Sequence, residues 1–191
     1  GQQLITRGYP LLTRANDTTD HPHQVGIWLN YEDVNGTDFW NNSAWPAANR
    51  KGVLGAIVID SITQVTAGNP ALLSYTARWK DKNGIPVLKE ETTYFFRSEK
   101  QLRIIDRTTT LTALMPVTFS DVKDGVYGIR LCRALQVPFA GETSGASGRY
   151  ISSEGFTDTA VWGKPAKWVV LTGKIQHEKV SVLMTDHPQN I

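Results

Sequence analysis

From residue 52 onward, short runs of apolar and β-branched residues alternate with clusters of Gly, Pro, Asn, Asp and Ser, the punctuation of an all-β domain. The pattern predicts strands over 53–66, 72–80, 87–97, 101–114, 117–122, 126–137, 167–172 and 179–186. Asn83-Gly84 is a tight-turn dipeptide and Ser98-Glu99-Lys100 is short enough for a hairpin, which predicts an antiparallel meander. Within 72–80, Leu73, Tyr75, Ala77 and Trp79 share one parity while Leu72, Ser74, Thr76, Arg78 and Lys80 share the other, as in a strand with one wet face. A sheet with one apolar face needs a covering layer, and helical periodicity is weak throughout, so that layer is expected to be a second sheet. The expected fold is an antiparallel β-sandwich. The Gly- and Ser-rich stretch 138–162 is expected to be a long loop, either functional or mobile.

Composition narrows the picture. With 191 residues, 40% of them hydrophobic and 20% charged, the chain has the size and apolar content of a single globular domain spanning 1–191. Its longest nearly unbroken apolar run, 53–59, already contains Gly55 and falls far short of the ~20 residues of a membrane-spanning helix. The net charge is +2, and the basic residues are scattered (Arg7, Arg50, Lys51, Lys89, Arg103, Arg130), so no electrostatic footprint for nucleic acid is present. Cys132 stands alone, which excludes an internal disulfide framework and a multi-cysteine zinc module, and leaves the compartment open between a bacterial periplasm and cytoplasm. The chain begins at Gly1 without a leader and runs out in a turn after Asp186-His187-Pro188, so a longer parent, cut at both ends, is expected. A sheet edge left open in this way would favour self-association. Gly-x-Ser-x-Gly, His-Glu-x-x-His, the phosphate-cradling loop and the dinucleotide fingerprint are all missing, which argues against a serine hydrolase, a zincin, a nucleotide hydrolase and a nicotinamide enzyme.

Candidate chemistry concentrates in a few places. In Asp20-His21-Pro22-His23, the proline biases His21 toward extended backbone, and extended residues two apart project to one face, so both imidazoles can address one site. His187 lies in a second Asp-His-Pro, which makes a shared His21, His23, His187 site conceivable; the plain alternative is three turn histidines satisfying local backbone groups. Glu90 and Glu91 fall on opposite faces of a predicted strand, so one points inward, where desolvation suits a general acid or base; the alternative is that a twist or bulge exposes both. The stretch 31–42 is dense in carboxylates, amides and aromatics. It reads either as a polar loop anchored by Phe39 and Trp40, or as a sugar site in which Asn35 binds hydroxyls and Trp28, Trp40, Trp45 and Trp162 offer stacking faces. Asp121, Lys123 and Arg130 surround one strand-turn-strand, either as a charged hairpin or as an anion and hydroxyl clamp, and Lys164 in its loop is free to reach a ligand.

The blocks Thr6-Arg7-Gly8-Tyr9-Pro10, Asp20-His21-Pro22-His23, Gly26-Ile27-Trp28, Asp33-Val34-Asn35-Gly36-Thr37-Asp38-Phe39-Trp40, Asp121-Val122-Lys123-Asp124-Gly125, Gly128-Ile129-Arg130, Trp162-Gly163-Lys164 and Asp186-His187-Pro188 resemble a bacterial family labelled PmoA-like, or methane oxygenase PmoA. The likeness runs over nearly the whole chain, which resembles the central part of that family's domain, with Gln24 where the family's motif commonly carries a further His. The resemblance implies a β-sandwich similar to galactose mutarotase folds, which use His with Glu or Asp as acid and base on a sugar ring. It thereby points to His21, His23, His187 and Glu91 as catalytic candidates. The methane oxygenase subunit of that name is an integral membrane protein, so with no spanning run the implied chemistry is that of carbohydrates.

Three functions are therefore expected, in order. The first is a carbohydrate-active domain that binds a sugar or modified sugar and transfers a proton at it, as an epimerase, isomerase or lyase, without a cofactor or metal. The second is a noncatalytic carbohydrate-binding module. The third is a metal-dependent oxygenase or hydrolase built on His21, His23 and His187.

Overall fold

A computed structural model describes residues 4–15, 17–41, 53–139 and 145–190. Among them lie nine strands: β1 (Ile27–Tyr31), β2 (Ala56–Thr66), β3 (Ala71–Lys80), β4 (Pro86–Glu99), β5 (Leu102–Ala113), β6 (Gly125–Ile129), β7 (Arg149–Ser152), β8 (Trp168–Ile175) and β9 (Glu178–Thr185). Short 3-10 turns at Arg133–Leu135 and Asp158–Val161 are the helical elements among the described residues, and no helix is long and apolar enough to cross a membrane. The fold is all-β with antiparallel sheets, in the sandwich-like class that the alternation predicts. The chain divides into two compact units: a central one, Leu29–Gly128, and a terminal one made of Gly1–Trp28 and Ile129–Ile191. The division falls within β1 and within β6, which pair with each other.

The central unit is the expected meander, β2-β3-β4-β5. Its β3–β4 turn closes because the Asp81 carboxylate accepts the backbone N–H of Asn83 and of Ile85, both at 2.8 Å, while Gly84 takes a φ of +81°. The pairing aligns Trp79 with Leu88, Ala77 with Glu90, Tyr75 with Thr92, and Tyr94 with Arg107, so these residues share one face. At one end of that face Trp79, Val87 and Leu88 pack with Val34 and Phe39, and Leu29, Tyr31, Ile57, Leu111 and Val117 border them.

The terminal unit carries the sheet β7-β8-β9 over a second core of Leu131, Cys132, Leu135, Leu171 and Ile175. Leu135 is fully buried, and two glycines leave room for it: a Cβ on Gly173 would come within 2.8 Å of its side chain, and one on Gly148 within 2.2 Å of its carbonyl oxygen.

Several predicted elements are corrected. Residues 117–122 do not form a strand: Thr118 N–H bonds the Asn35 side chain (2.8 Å), which also donates to Pro116 O (2.9 Å), Thr118 O accepts the Asn35 N–H and Ser120 N–H bonds Asp33 O, so one isolated bridge, Phe119 to Val34, remains. The strand expected over 126–137 stops at Ile129, beyond which Leu131 bridges Thr6, the Cys132 N–H bonds Ile5 O, and the chain turns at 133–135. Val53 and Leu54 precede β2 and are tied instead to Asp38. Two strands were not anticipated, β1 and β7, the latter within the stretch expected to be a loop.

The two kinds of glycine predict different costs. Nothing lies within 4 Å of a Cβ built on Gly84, so Gly84→Ala brings only the strain of its left-handed φ, about 1 kcal/mol. Gly148→Ala must displace the Leu135 backbone and is expected to cost about 2 kcal/mol more than that. Urea denaturation of both variants checks the order.

Candidate active site

The terminal unit gathers a cationic cluster around one carboxylate. The Arg7 side chain is 1% exposed, and its Nη1 donates to Asp20 Oδ1 (2.6 Å) and to Thr18 O and Oγ1 (3.2 Å each). Its Nη2 donates to His21 O (3.0 Å) and Gln24 O (3.4 Å), so one guanidinium gathers the carbonyls of the 18–24 loop around itself. Arg130 enters from the end of β6, with its N–H bonded to Gly26 O; its Nη2 donates to Asp20 Oδ1 (3.0 Å) and its Nη1 to Gln24 Oε1 (2.8 Å). The remaining Asp20 oxygen, Oδ2, lies 3.0 Å from His21 Nδ1.

Burial alone would raise the Asp20 pKa, but hydrogen bonds from Arg7 and His21, together with the charge of Arg130, outweigh it and hold the carboxyl at about 2. Burial and the like charge of Arg7 lower the Arg130 pKa, against the pull of Asp20. Burial raises that of Tyr150, which Arg130 opposes. His21 is half-exposed and has a φ of +44°, an unusual conformation for a non-glycine residue that Arg7 secures through the His21 carbonyl. The His23 ring stands edge-on to that of His21, with centroids 5.7 Å apart. The Asp20 carboxylate on Nδ1 fixes the imidazole plane and leaves Nε2 as the nitrogen it does not engage.

Of the sequence candidates, the structure brings together His21, His23 and Arg130. His187 sits exposed in the turn after β9, where its Nδ1 accepts the Gln189 N–H at 3.2 Å. Among the described residues, no three of His, Cys, Asp and Glu come together as metal ligands, so the three-histidine metal site is not assembled. Glu91 is corrected to Glu90. Glu91 is 49% exposed and pairs with Lys89 at 2.9 Å on the outer face, whereas Glu90 is the inward carboxylate. Asn35 is engaged in the backbone bonds described above. Trp28 is half-buried in β1; Trp40 is half-buried, and Asp38 Oδ1 accepts its N–H. Asp121 and Lys123 are exposed in the central unit, with Lys123 3.9 Å from Asp124, while the side-chain partners of Arg130 are Asp20 and Gln24 in the terminal one. Trp162 is 76% exposed, and Lys164 lies 5.8 Å over the Phe156 ring. Trp45 lies outside the described residues.

The central unit holds a second polar cluster, on the face shared by β3, β4 and β5. Glu90, 1% exposed, accepts from Tyr75 OH (2.8 Å), Thr92 Oγ1 (2.7 Å) and Arg107 Nη2 (2.8 Å) on one oxygen and from Trp79 Nε1 (2.8 Å) on the other. Burial, offset by Arg107 and reinforced by Glu90, pushes the Tyr75 phenol up to about 12. Sequence reasoning named Glu90 beside Glu91 but chose Glu91 as the catalytic candidate, did not single out Arg107, and left Asp20, Arg7 and Gln24 without roles. The signal for Glu90 was its parity: it alternates with Leu88, Thr92 and Tyr94, while Glu91 alternates with Lys89 and Arg97. For Asp20 it was the carboxylate directly before the first histidine.

A family model described as a family of unknown function, DUF6807, matches residues 3–191. The chain belongs to DUF6807. This corrects the resemblance drawn from the motifs, since no PmoA-like family is matched. No curated protein and no solved structure matches the chain.

Because the folded-state pKa of Asp20 lies below its usual value of 3.8, ionisation favours the folded form. Its contribution is complete above about pH 4 and is lost as pH falls toward 2. The stability difference between wild type and Asp20→Asn, followed by thermal melts, is therefore expected to be flat from pH 7 to about 4 and to shrink below it. In the central unit, Glu90→Gln leaves Arg107 without its counter-charge and is expected to cost about 3–5 kcal/mol. Glu90→Leu combined with Arg107→Met should recover part of that loss, as denaturant midpoints would show.

Proposed function

We propose that the chain is a carbohydrate-active domain that binds a sugar or modified sugar and moves a proton at it. The observation that carries this reading is the half-exposed His21 imidazole, held at Nδ1 by an Asp20 that two arginines keep ionised. In this reading Nε2 takes a proton from the carbon beside a substrate carbonyl, and the positive charge of Arg130 stabilises the oxyanion that forms. Return of the proton completes an epimerisation or isomerisation, and loss of a neighbouring leaving group completes an elimination. Two guanidiniums against one carboxylate leave the cluster net positive, which favours a sugar carrying an acidic group. A binding-only reading draws on Trp162, an exposed tryptophan beside the Lys164 and Phe156 loop, as a stacking platform.

The test is deuterium exchange. A panel of aldoses, ketoses and uronic acids is incubated with the protein in D2O, and C–H loss is followed by proton NMR. His21→Gln is expected to lower exchange about 100-fold or more. Equal exchange in wild type and variant, or none with any sugar, overturns the proton-transfer reading; binding without exchange supports the module.

A further inference from the structure

The Arg107 side chain is 7% exposed and lies among both polar and aromatic groups. Nε donates to Thr109 Oγ1 (2.9 Å), and Nη2 donates to Glu90 Oε1 (2.8 Å), Tyr75 OH (3.2 Å) and Thr92 Oγ1 (3.4 Å). The guanidinium also hydrogen-bonds the Tyr94 phenol. The guanidinium is bracketed by aromatic rings: its carbon lies 5.3 Å from the Tyr94 centroid and 5.7 Å from that of Tyr127. The Tyr94 ring in turn stacks on Phe96 at 5.8 Å and 18°, and Phe96 and Ile105, paired across β4 and β5, are both partly exposed beside it. Burial raises the pKa of Tyr94 and of Tyr127, which therefore remain neutral phenols able to donate and accept.

We propose that this face of the β3-β4-β5 sheet is a binding site for a neutral, hydroxyl-bearing ring such as a pyranose. The Tyr94 and Tyr127 hydroxyls, with the Arg107 guanidinium between them, take the ligand's hydroxyls, and the Phe96 and Ile105 flank takes its C–H face. The charge balance decides between a neutral and an acidic ligand. Arg107 is already neutralised by Glu90, whose two oxygens accept four hydrogen bonds, so a carboxylate placed here would compete with Glu90 for the same cation. A few placed polar groups among aromatic and apolar side chains are the usual makeup of a small-molecule site. The assignment is independent of the proton-transfer reading, which concerns residues of the terminal unit.

Methyl glycosides of glucose, galactose and mannose test it, because they carry no free carbonyl and cannot report on proton transfer beside one. In calorimetric titrations of the full chain, at least one is expected to bind. Tyr127→Phe should weaken that binding about three- to tenfold, and Arg107→Lys should weaken it more than about tenfold. Tyr127 is partly exposed and its variant removes only a hydroxyl, so it decides the matter if Arg107→Lys fails to fold. No binding up to about 100 mM, binding that neither variant alters, or tighter binding of the matching uronic acids that Tyr127→Phe weakens would each overturn the proposal.

Discussion

A guanidinium taken out of water must find acceptors for its donors, and each unit of this chain is organised around one that has nearly done so. In the terminal unit Arg7 reaches across the 18–24 loop and satisfies itself on three backbone carbonyls, a threonine hydroxyl and Asp20. In the central unit Arg107 does the same with Glu90, Thr92, Thr109 and Tyr75. The backbone around Arg7 follows from this: a loop with three carbonyls turned toward one cation has few other conformations open to it. Removing Arg107 would leave a buried carboxylate without its counter-charge, and removing Arg7 would take a donor from three backbone carbonyls, both costly in a protein interior.

The two clusters differ in what they leave over. Around Asp20 there is an excess of positive charge and a histidine whose second nitrogen is uncommitted by the dyad, an arrangement suited to moving protons on an anionic substrate. Around Glu90 charges balance, the carboxylate is saturated, and the guanidinium beside it is flanked by phenols and apolar rings. The second arrangement suits recognition without chemistry. Membership of a family of unknown function leaves both readings to be decided by their own geometry.

Much of the strand order was legible from local signals. The Asn83-Gly84 turn, the wet and dry parities of β3 and the short β4–β5 connection are properties of neighbouring residues, and the structure keeps them. Two of the misread segments share a cause. At 117–122 and 131–137 the residues have strand-like composition, but their backbone groups are taken by Asn35 or by the segment around Ile5, partners roughly 80 to 130 positions away in the chain, which no local pattern reveals. Asn35 itself was read as a hydroxyl-binding group because its side chain is polar and lies in a turn; its two bonds to the 116–118 backbone use that polarity for structure.

The amino-acid sequence by itself determined the all-β class, the antiparallel meander, the lack of a membrane-spanning helix and the nomination of the Asp-His-Pro-His segment, because alternation, turn chemistry and charge are carried by residues close together in the chain. Only the tertiary structure decided that Arg107 is the counter-charge of Glu90, that Asp20 is the anchor of His21, and that Arg7 and Arg130 meet on it. A carboxylate's role depends on which cations share its low-dielectric surroundings, and those come from residues up to 110 positions away, brought together only when the sheets form.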